Sequence, residues 1–258
     1  MRISFVGSGK VATHLAKTFS SQHQIVQIMS RNLEHAKKLA NQVGAQAVND
    51  IKQFNSEIDL VVLAVSDQAI ASVIHEIHLQ LPDVLIVHTS GSTDLSVLSD
   101  IHPNAGVFYP LQTFSFEREI DWAETPLFIE AKQPQTLEIL NQLANSLSKH
   151  VYHYSSSQRL SLHLAAVFAC NFSNYCYDMA KQVVDQQQVD FSLLYPLILE
   201  TAKKATQYDP VQVQTGPALR EDHNILQMHQ HLLEQASRPD LKEIYQLLSQ
   251  AIITRHHI

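Results

Sequence analysis

The chain has 258 residues, 45% of them apolar and 17% charged, with two cysteines and only six glycines. That composition supports a real core over one or two domains and excludes disordered, collagen-like and low-complexity chains; two cysteines in one helical run exclude a disulfide scaffold. Eighteen Lys and Arg against 25 Asp and Glu leave a formal charge of −7, with no basic run longer than a pair, so no nucleic-acid partner is expected.

Short apolar runs alternate with helical patterns through the first half of the chain. A strand is predicted over 3–6, then a helix carrying Val11, Leu15 and Phe19 on one face, then a strand over 25–29. Asn32 can cap a helix that carries Leu33, Ala36, Leu39, Ala40 and Val43 and stops at Gly44. Buried strands follow over 60–65 and 84–88, separated by a helix over 69–81 that Pro82 ends. Shorter strands over 106–108 and 127–130, a helix over 135–147 and a strand over 151–154 complete this half. Uncharged strands alternating with helices indicate a mostly parallel sheet covered on both faces. After Tyr154 the strand patterns vanish, and helices are expected over 158–184, 191–206, 223–235 and 240–254. Pro196 either kinks the second of these or marks its first turn. The expected organisation is therefore an α/β domain over 1–154 and an all-helical domain over 155–258. No run of 18 apolar residues is present, so no membrane span is expected. The N-terminal apolar run is too short for a secretory signal, and a cytoplasmic protein is expected.

The first strand runs directly into Gly7-Ser8-Gly9-Lys10-Val11-Ala12, the G-x-G-x-x-A form of the dinucleotide fingerprint of the Rossmann fold. Gly7 permits the tight turn, Gly9 lets a pyrophosphate approach the backbone, and the helix N-terminus offers free amides and a positive dipole. At the end of the second strand, where an NAD site carries an acidic residue, this chain has Ser30-Arg31-Asn32. Arg31 can pair with a 2′-phosphate and its neighbours can hydrogen-bond it, which favours NADP over NAD; capping by Ser30 and Asn32 is compatible with that role. Ala64-Val65-Ser66-Asp67 and His88-Thr89-Ser90-Gly91 stand at the ends of two further buried strands, at the sheet edge where ligands of open α/β sheets bind; ordinary turn chemistry of Ser, Asp and Gly is the alternative.

In the second half, residues 160–172 are almost wholly apolar, which predicts a central, buried helix. At 100° per residue Arg159, His163, Asn171, Asn174 and Asp178 fall within an arc of about 120°. His163 is the only histidine of the apolar stretch and the candidate general acid–base; a core histidine satisfied by hydrogen bonds is the alternative. Thr215-Gly216-Pro217 turns the chain before Asp222, a possible N-cap, and Arg220 can hold a carboxylate or phosphate or simply form a surface ion pair. None of the 15 histidines stands in a metal-ligand spacing, so no metal is expected.

These residues resemble the bacterial Rossmann-like NADP oxidoreductases with a helical C-terminal domain of unknown function. That family is similar in turn to pyrroline-5-carboxylate reductase, deazaflavin-dependent NADP oxidoreductase and the 3-hydroxyacid dehydrogenases. The resemblance is carried by GSGKVATHLA from Gly7, VHTSGS from Val87, YPLQTF from Tyr109, HLAAVFACNFSN from His163 and TGPALRED from Thr215. It implies an NADP-binding domain, a helical substrate and dimerisation domain, a small-molecule substrate and a homodimer. It also implies His163 and Asn171 as catalytic residues and Gln112 and Arg220 as substrate-binding residues. Two positions depart from the family pattern: Tyr109-Pro110-Leu111 replaces His-Pro-Leu, and Arg220-Glu221-Asp222 replaces Arg-Gly-Asp. Residues 158–180 hold no lysine to match the catalytic lysine of the hydroxyacid dehydrogenases. The function expected is hydride transfer between nicotinamide and a small carbonyl, imine or hydroxy compound. A second reading is a regulatory or sensor protein that binds NADP(H) without turnover.

Overall fold

The computed structural model describes residues 1–257. The chain forms two compact units, residues 1–170 and residues from Asn171 onward. The first is built on an eight-stranded sheet: β1 Arg2–Val6, β2 Gln24–Met29, β3 Gln46–Val48, β4 Leu60–Leu63, β5 Leu85–His88, β6 Ala105–Pro110, β7 Leu127–Ala131 and β8 Val151–His153. The spatial order is β3-β2-β1-β4-β5-β6-β7-β8. All pairs are parallel except β6 with β7, which run antiparallel from Gly106 opposite Ala131 to Pro110 opposite Leu127. The chain winds outward from β1 in one direction to β3 and then returns to place β4 on the other side of β1. The crevice beyond the carboxyl ends of β1 and β4 is thus the topological switch point, where such sheets bind ligands.

Helices α1 Lys10–Phe19, α2 Leu33–Val43, α3 Asp67–Gln80, α4 Ser96–Ser99 and α5 Pro134–Asn145 connect the strands, and α6 Ser156–Ala166 follows β8. Strand residues pointing to alternate faces feed two cores. Ile3, Phe5, Ile28, Val62 and Val87 pack with Leu15 and Phe19 of α1 and Leu140 of α5. Val6, Val61, Leu63 and Ile86 pack with Ile70, Ile74 and Ile77 of α3. Asn32 caps α2 as expected, its side chain accepting from the amides of Glu34 at 3.0 Å and His35 at 3.4 Å, and Gly44 ends that helix in the left-handed region. The strand expected over 60–65 ends at Leu63, which releases Ala64 and Val65 into the turn before α3. β3, the 3₁₀ turn Ile51–Gln53 and α4 were not expected; at three or four residues each, none is long enough to show a period.

The second unit contains α7 Ser173–Asp185, the 3₁₀ turn Phe191–Leu194, α8 Tyr195–Gln207, α9 His223–Gln235 and α10 Pro239–His257. Pro196 lies in the first turn of α8, where its missing N–H costs nothing. The single buried helix expected over 158–184 needs correction in two respects. It is interrupted by a π-helical segment, Val167–Phe172, whose i→i+5 bonds break the 100° periodicity on which the polar arc through Asn171, Asn174 and Asp178 rested. Nor is it buried: Arg159 is the only buried residue of α6, α7 has none, and Leu160 and Leu164 are about half exposed.

Candidate active site

At the end of β1 the chain must turn beneath the carbonyl that ends the neighbouring β4 turn. Gly7 has φ +117°, and a Cβ there would lie 2.1 Å from the Ala64 carbonyl oxygen, so only glycine fits. The Gly7 amide donates to Met29 O at 2.8 Å and the Ala64 amide to Val6 O at 2.8 Å, which ties the first and fourth strand ends together. Gly9 is the N-cap of α1, with no side chain covering the first-turn amides, and the space beside its Cα is open. A phosphate can therefore reach these amides without displacing protein atoms.

These turns open into a cleft of about 380 Å³ lined on one side by Gly9, Lys10 and Val11, and on the next by Ala64, Val65 and Asp67. The turn after β5 adds Thr89, Ser90 and Gly91, and the end of β6 adds Tyr109, Pro110, Gln112 and Phe114. His163 of α6 completes the lining. Its Nδ1 lies 3.3 Å from the Tyr109 hydroxyl, with the rings edge to face. Gly91 makes room for this pair: a Cβ there would fall 2.6 Å from His163 Nδ1 and 2.8 Å from the Tyr109 oxygen. Tyr109 is 8% exposed. Burial pushes its phenol up from the ordinary tyrosine range, with the Arg159 charge opposing.

Eight of the residues singled out from sequence thus share one cleft: Gly9, Lys10, Val11, Ala64, Val65, Ser90, Gln112 and His163. Gly7 lies beneath it at the crossing. Ser66 is the exposed N-cap of α3 beside it, making no side-chain cap bond. Ser8 faces a neighbouring cavity of about 360 Å³ with Lys17, His35 and Lys38. Ser30, Arg31 and Asn32 stand at the end of β2, where Ser30 N donates to Val48 O at 3.1 Å and Arg31 is exposed. Asn171 and Arg220 belong to the second unit and are both exposed. The cleft also takes in Asp67, Thr89 and Gly91, which stand at the two strand ends read as the ligand edge, and Tyr109, which stands where the family pattern has histidine. Tyr109 lies just past the strand expected over 106–108, and nothing in the sequence around it shows that it will meet His163. Among the described residues no cluster of His, Cys, Asp and Glu could hold a metal, and no helix is long and apolar enough to cross a membrane.

A doubly wound sheet with a glycine turn at its switch point and a ligand-sized cleft above it defines a dinucleotide-binding Rossmann protein. Residues 2–91 match the family described as NADP oxidoreductase, coenzyme F420-dependent, and residues 125–252 match a domain of unknown function, DUF2520. Among solved structures the chain is similar to a candidate NADP oxidoreductase from Bacteroides fragilis, 40% identical over 98% of each chain with a TM-score of 0.92. The chain belongs to this family of Rossmann-like NADP oxidoreductases with a DUF2520 domain. The fold is also that of a Thermotoga maritima protein, 22% identical over 98% of this chain and 99% of that one, TM-score 0.67. It is equally that of an imine reductase from Myxococcus stipitatus in complex with NADP+, 16% identical over 99% of each chain, TM-score 0.67. No match is found among curated proteins.

Proposed function

We propose that the protein transfers hydride between NADP(H) and a small carbonyl, imine or hydroxy compound, with residues 1–154 as the cofactor domain and 155–258 as the substrate and dimerisation domain. The observation that carries this reading is one cleft that joins the glycine turn to a tyrosine–histidine pair. The open amides above Gly9 fit a pyrophosphate, and the absence of an acidic side chain in Ser30-Arg31-Asn32 fits a 2′-phosphate. Arg31 would hold that phosphate, assisted by Ser8, Ser30 and the amide nitrogen of Asn32, whose oxygen is engaged as the α2 cap. Ala64, Val65, Ser66 and Ser90 would line the ribose and nicotinamide. NADPH, when bound, supplies a hydride equivalent at its nicotinamide ring.

The chain's own part is the proton. As a carbonyl or imine carbon gains hydride, its oxygen or nitrogen gains an electron pair that must be protonated. His163 Nδ1 lies within hydrogen-bond reach of the Tyr109 hydroxyl, so the pair can deliver a proton at the phenol oxygen or at the imidazole and recover it from solvent through the other. Gln112, exposed at the cleft wall, would orient the polar atom of the substrate. The roles of Asn171 and Arg220, orienting that atom and holding an acidic group, rest on the family resemblance and are tested by substitution.

A homodimer is part of the same reading. α7 and α8 have no buried residue, and Leu193, Leu197 and Leu199 are 63–70% exposed, more apolar surface than a monomeric helical unit ordinarily shows. Two exposed free thiols, Cys170 and Cys176, agree with a reducing cytoplasm. The test is a fluorescence titration with NADPH and NADH followed by a turnover screen over cyclic imines, ketones and hydroxy acids. Tighter NADPH binding, and turnover lost in His163→Ala, are expected. Binding with no turnover of any class would leave the sensor reading in its place.

A further inference from the structure

α6 carries the proton-transfer histidine yet has almost no apolar anchor. Leu162 is half-buried against the small cluster of Leu95, Val107, Tyr109 and Phe128, and the one buried side chain of the helix is a cation. That side chain, Arg159, is 1% exposed. Its Nη1 donates to Glu130 Oε2 of β7 at 2.5 Å, its Nε to Ser90 O at 3.2 Å, and its Nη2 to Thr93 O and to Ser156 Oγ. Glu130 accepts in addition from the Ser156 amide at 3.0 Å and hydroxyl at 2.8 Å, and Ser156 Oγ accepts from Leu95 N at 3.0 Å. One guanidinium therefore joins the start of α6, the sheet and the turn that lines the cleft.

The turn is fixed internally as well. Ser90 N donates to His88 Nδ1 at 3.2 Å, and Ser90 Oγ accepts from the amides of Ser92 and Thr93 at 3.1 and 2.9 Å. Displacing Ser90 O therefore moves a rigid turn rather than one carbonyl. His163 stands four residues after Arg159, one helical turn on and on the same face. The rotation and height of α6 that seat the guanidinium are the same ones that seat His163 against Gly91 and Tyr109.

We infer that Arg159, braced by Glu130, is a positioning residue for the proton-transfer pair, setting the place of His163 relative to the turn Thr89–Gly91. This rests on the reading of the cleft as an NADP-dependent active site. Lysine cannot substitute, because a single ammonium does not present the planar fork that reaches Ser90 O, Thr93 O and Glu130 together.

The test uses the full chain with Arg159→Lys, Arg159→Met and Glu130→Gln, each checked for folding by circular dichroism. Two quantities are read: the His163 ring resonances, assigned by their loss in His163→Gln, with their cross-relaxation to Tyr109, and the NADPH dissociation constant. The expected result for folded Arg159→Lys and Arg159→Met is loss of the His163–Tyr109 contact and NADPH binding weakened tenfold or more. Glu130→Gln, which keeps the guanidinium but leaves one neutral acceptor oxygen and an NH2 donor where the carboxylate accepts at both oxygens, is expected to shift the His163 signals and weaken binding about threefold. Folded variants with wild-type His163 signals and binding within twofold would overturn the inference and leave the pair as a stabilising contact only. If the Arg159 variants do not fold, Glu130→Gln decides on the same two readouts. Should the wild-type chain bind no NADPH, the functional reading falls, while the His163 resonances still decide the positioning role.

Discussion

Gly91→Ala puts the close approach of the Gly91 turn to the His163–Tyr109 pair to the test. The added Cβ would lie 2.6 Å from His163 Nδ1, 2.7 Å from Tyr109 Cζ and 2.8 Å from its hydroxyl, where ordinary contact begins at 3.4 Å. The imidazole must therefore retreat by about 0.8 Å and the phenol by about 0.7 Å, the shortfalls from ordinary contact. His163 is half-buried and has the cleft to move into, but Tyr109 is held against Phe128 with ring centroids 6.2 Å apart. Overpacking of this kind costs roughly 1–3 kcal/mol, offset by about 0.4–1 kcal/mol from the stiffer unfolded chain, for a net loss of about 1–2 kcal/mol. At roughly 2–4 °C per kcal/mol in a chain of this size, Tm should drop by a few degrees. A double-mutant cycle with His163→Ala isolates the contact: removing the imidazole should return about 1 kcal/mol of the Gly91→Ala loss. Thermal melts at fixed protein concentration supply the four values. Strict additivity would refute the juxtaposition of Gly91 and His163 on which the proposed active site rests.

The other expectations are independent of that contact. Burial, reinforced by the Arg159 charge, pushes His88 down to about 3 from 6.5. Its unfolded form thus binds a proton below pH 6.5 that the folded form refuses, and stability falls as pH drops from 6.5 toward 3, by about 2 kcal/mol at pH 5. Urea midpoints at pH 5 and pH 7.5 should show that slope flattened in His88→Asn; an unchanged slope would assign it elsewhere. Glu221 sits at φ +51°, where the family pattern has glycine, and its contact with His257 at 3.4 Å is exposed. Glu221→Gly should therefore raise stability by about 0.5–1 kcal/mol, read as a higher Tm, because relief of the left-handed strain outweighs a weak surface pair. Gly7→Ala meets the Ala64 carbonyl at 2.1 Å with φ +117°. A backbone neighbour cannot swing aside, so a loss of about 2–5 kcal/mol and of NADPH binding is expected in melts and fluorescence titrations.

Much of the first unit can be read from local chemistry, because its signals are short in range. Asn32 and Gly44 bound α2 by capping and left-handed termination, and the glycine turn announces the switch point before any contact is known. The central strands are legible since both faces are buried and no charge interrupts them. What escapes local reading is whatever depends on distant partners. Tyr109 and His163 are 54 residues apart and meet only because β6 ends beneath α6. Glu130 shows nothing in its own segment of the cation it will hold, although Arg159 stands out as a charge beside an apolar run. The run 160–172 reads as a buried helix and is not one, because apolar composition does not report how much of a helix its neighbours cover.

Both margins of the sheet are strands of only three residues, β3 and β8, and the outer residues Tyr152 and His153 of β8 are exposed. Stubs of this length offer few free amides and carbonyls for another chain to pair with, which is how natural sheets discourage runaway lateral growth. Strand addition is accordingly a poor route to assembly for this protein, and fibrillar stacking through the sheet is disfavoured even when copies are crowded. Contacts between helices, by contrast, bury side chains without templating a further backbone, so that a homodimer of the kind proposed would close on itself.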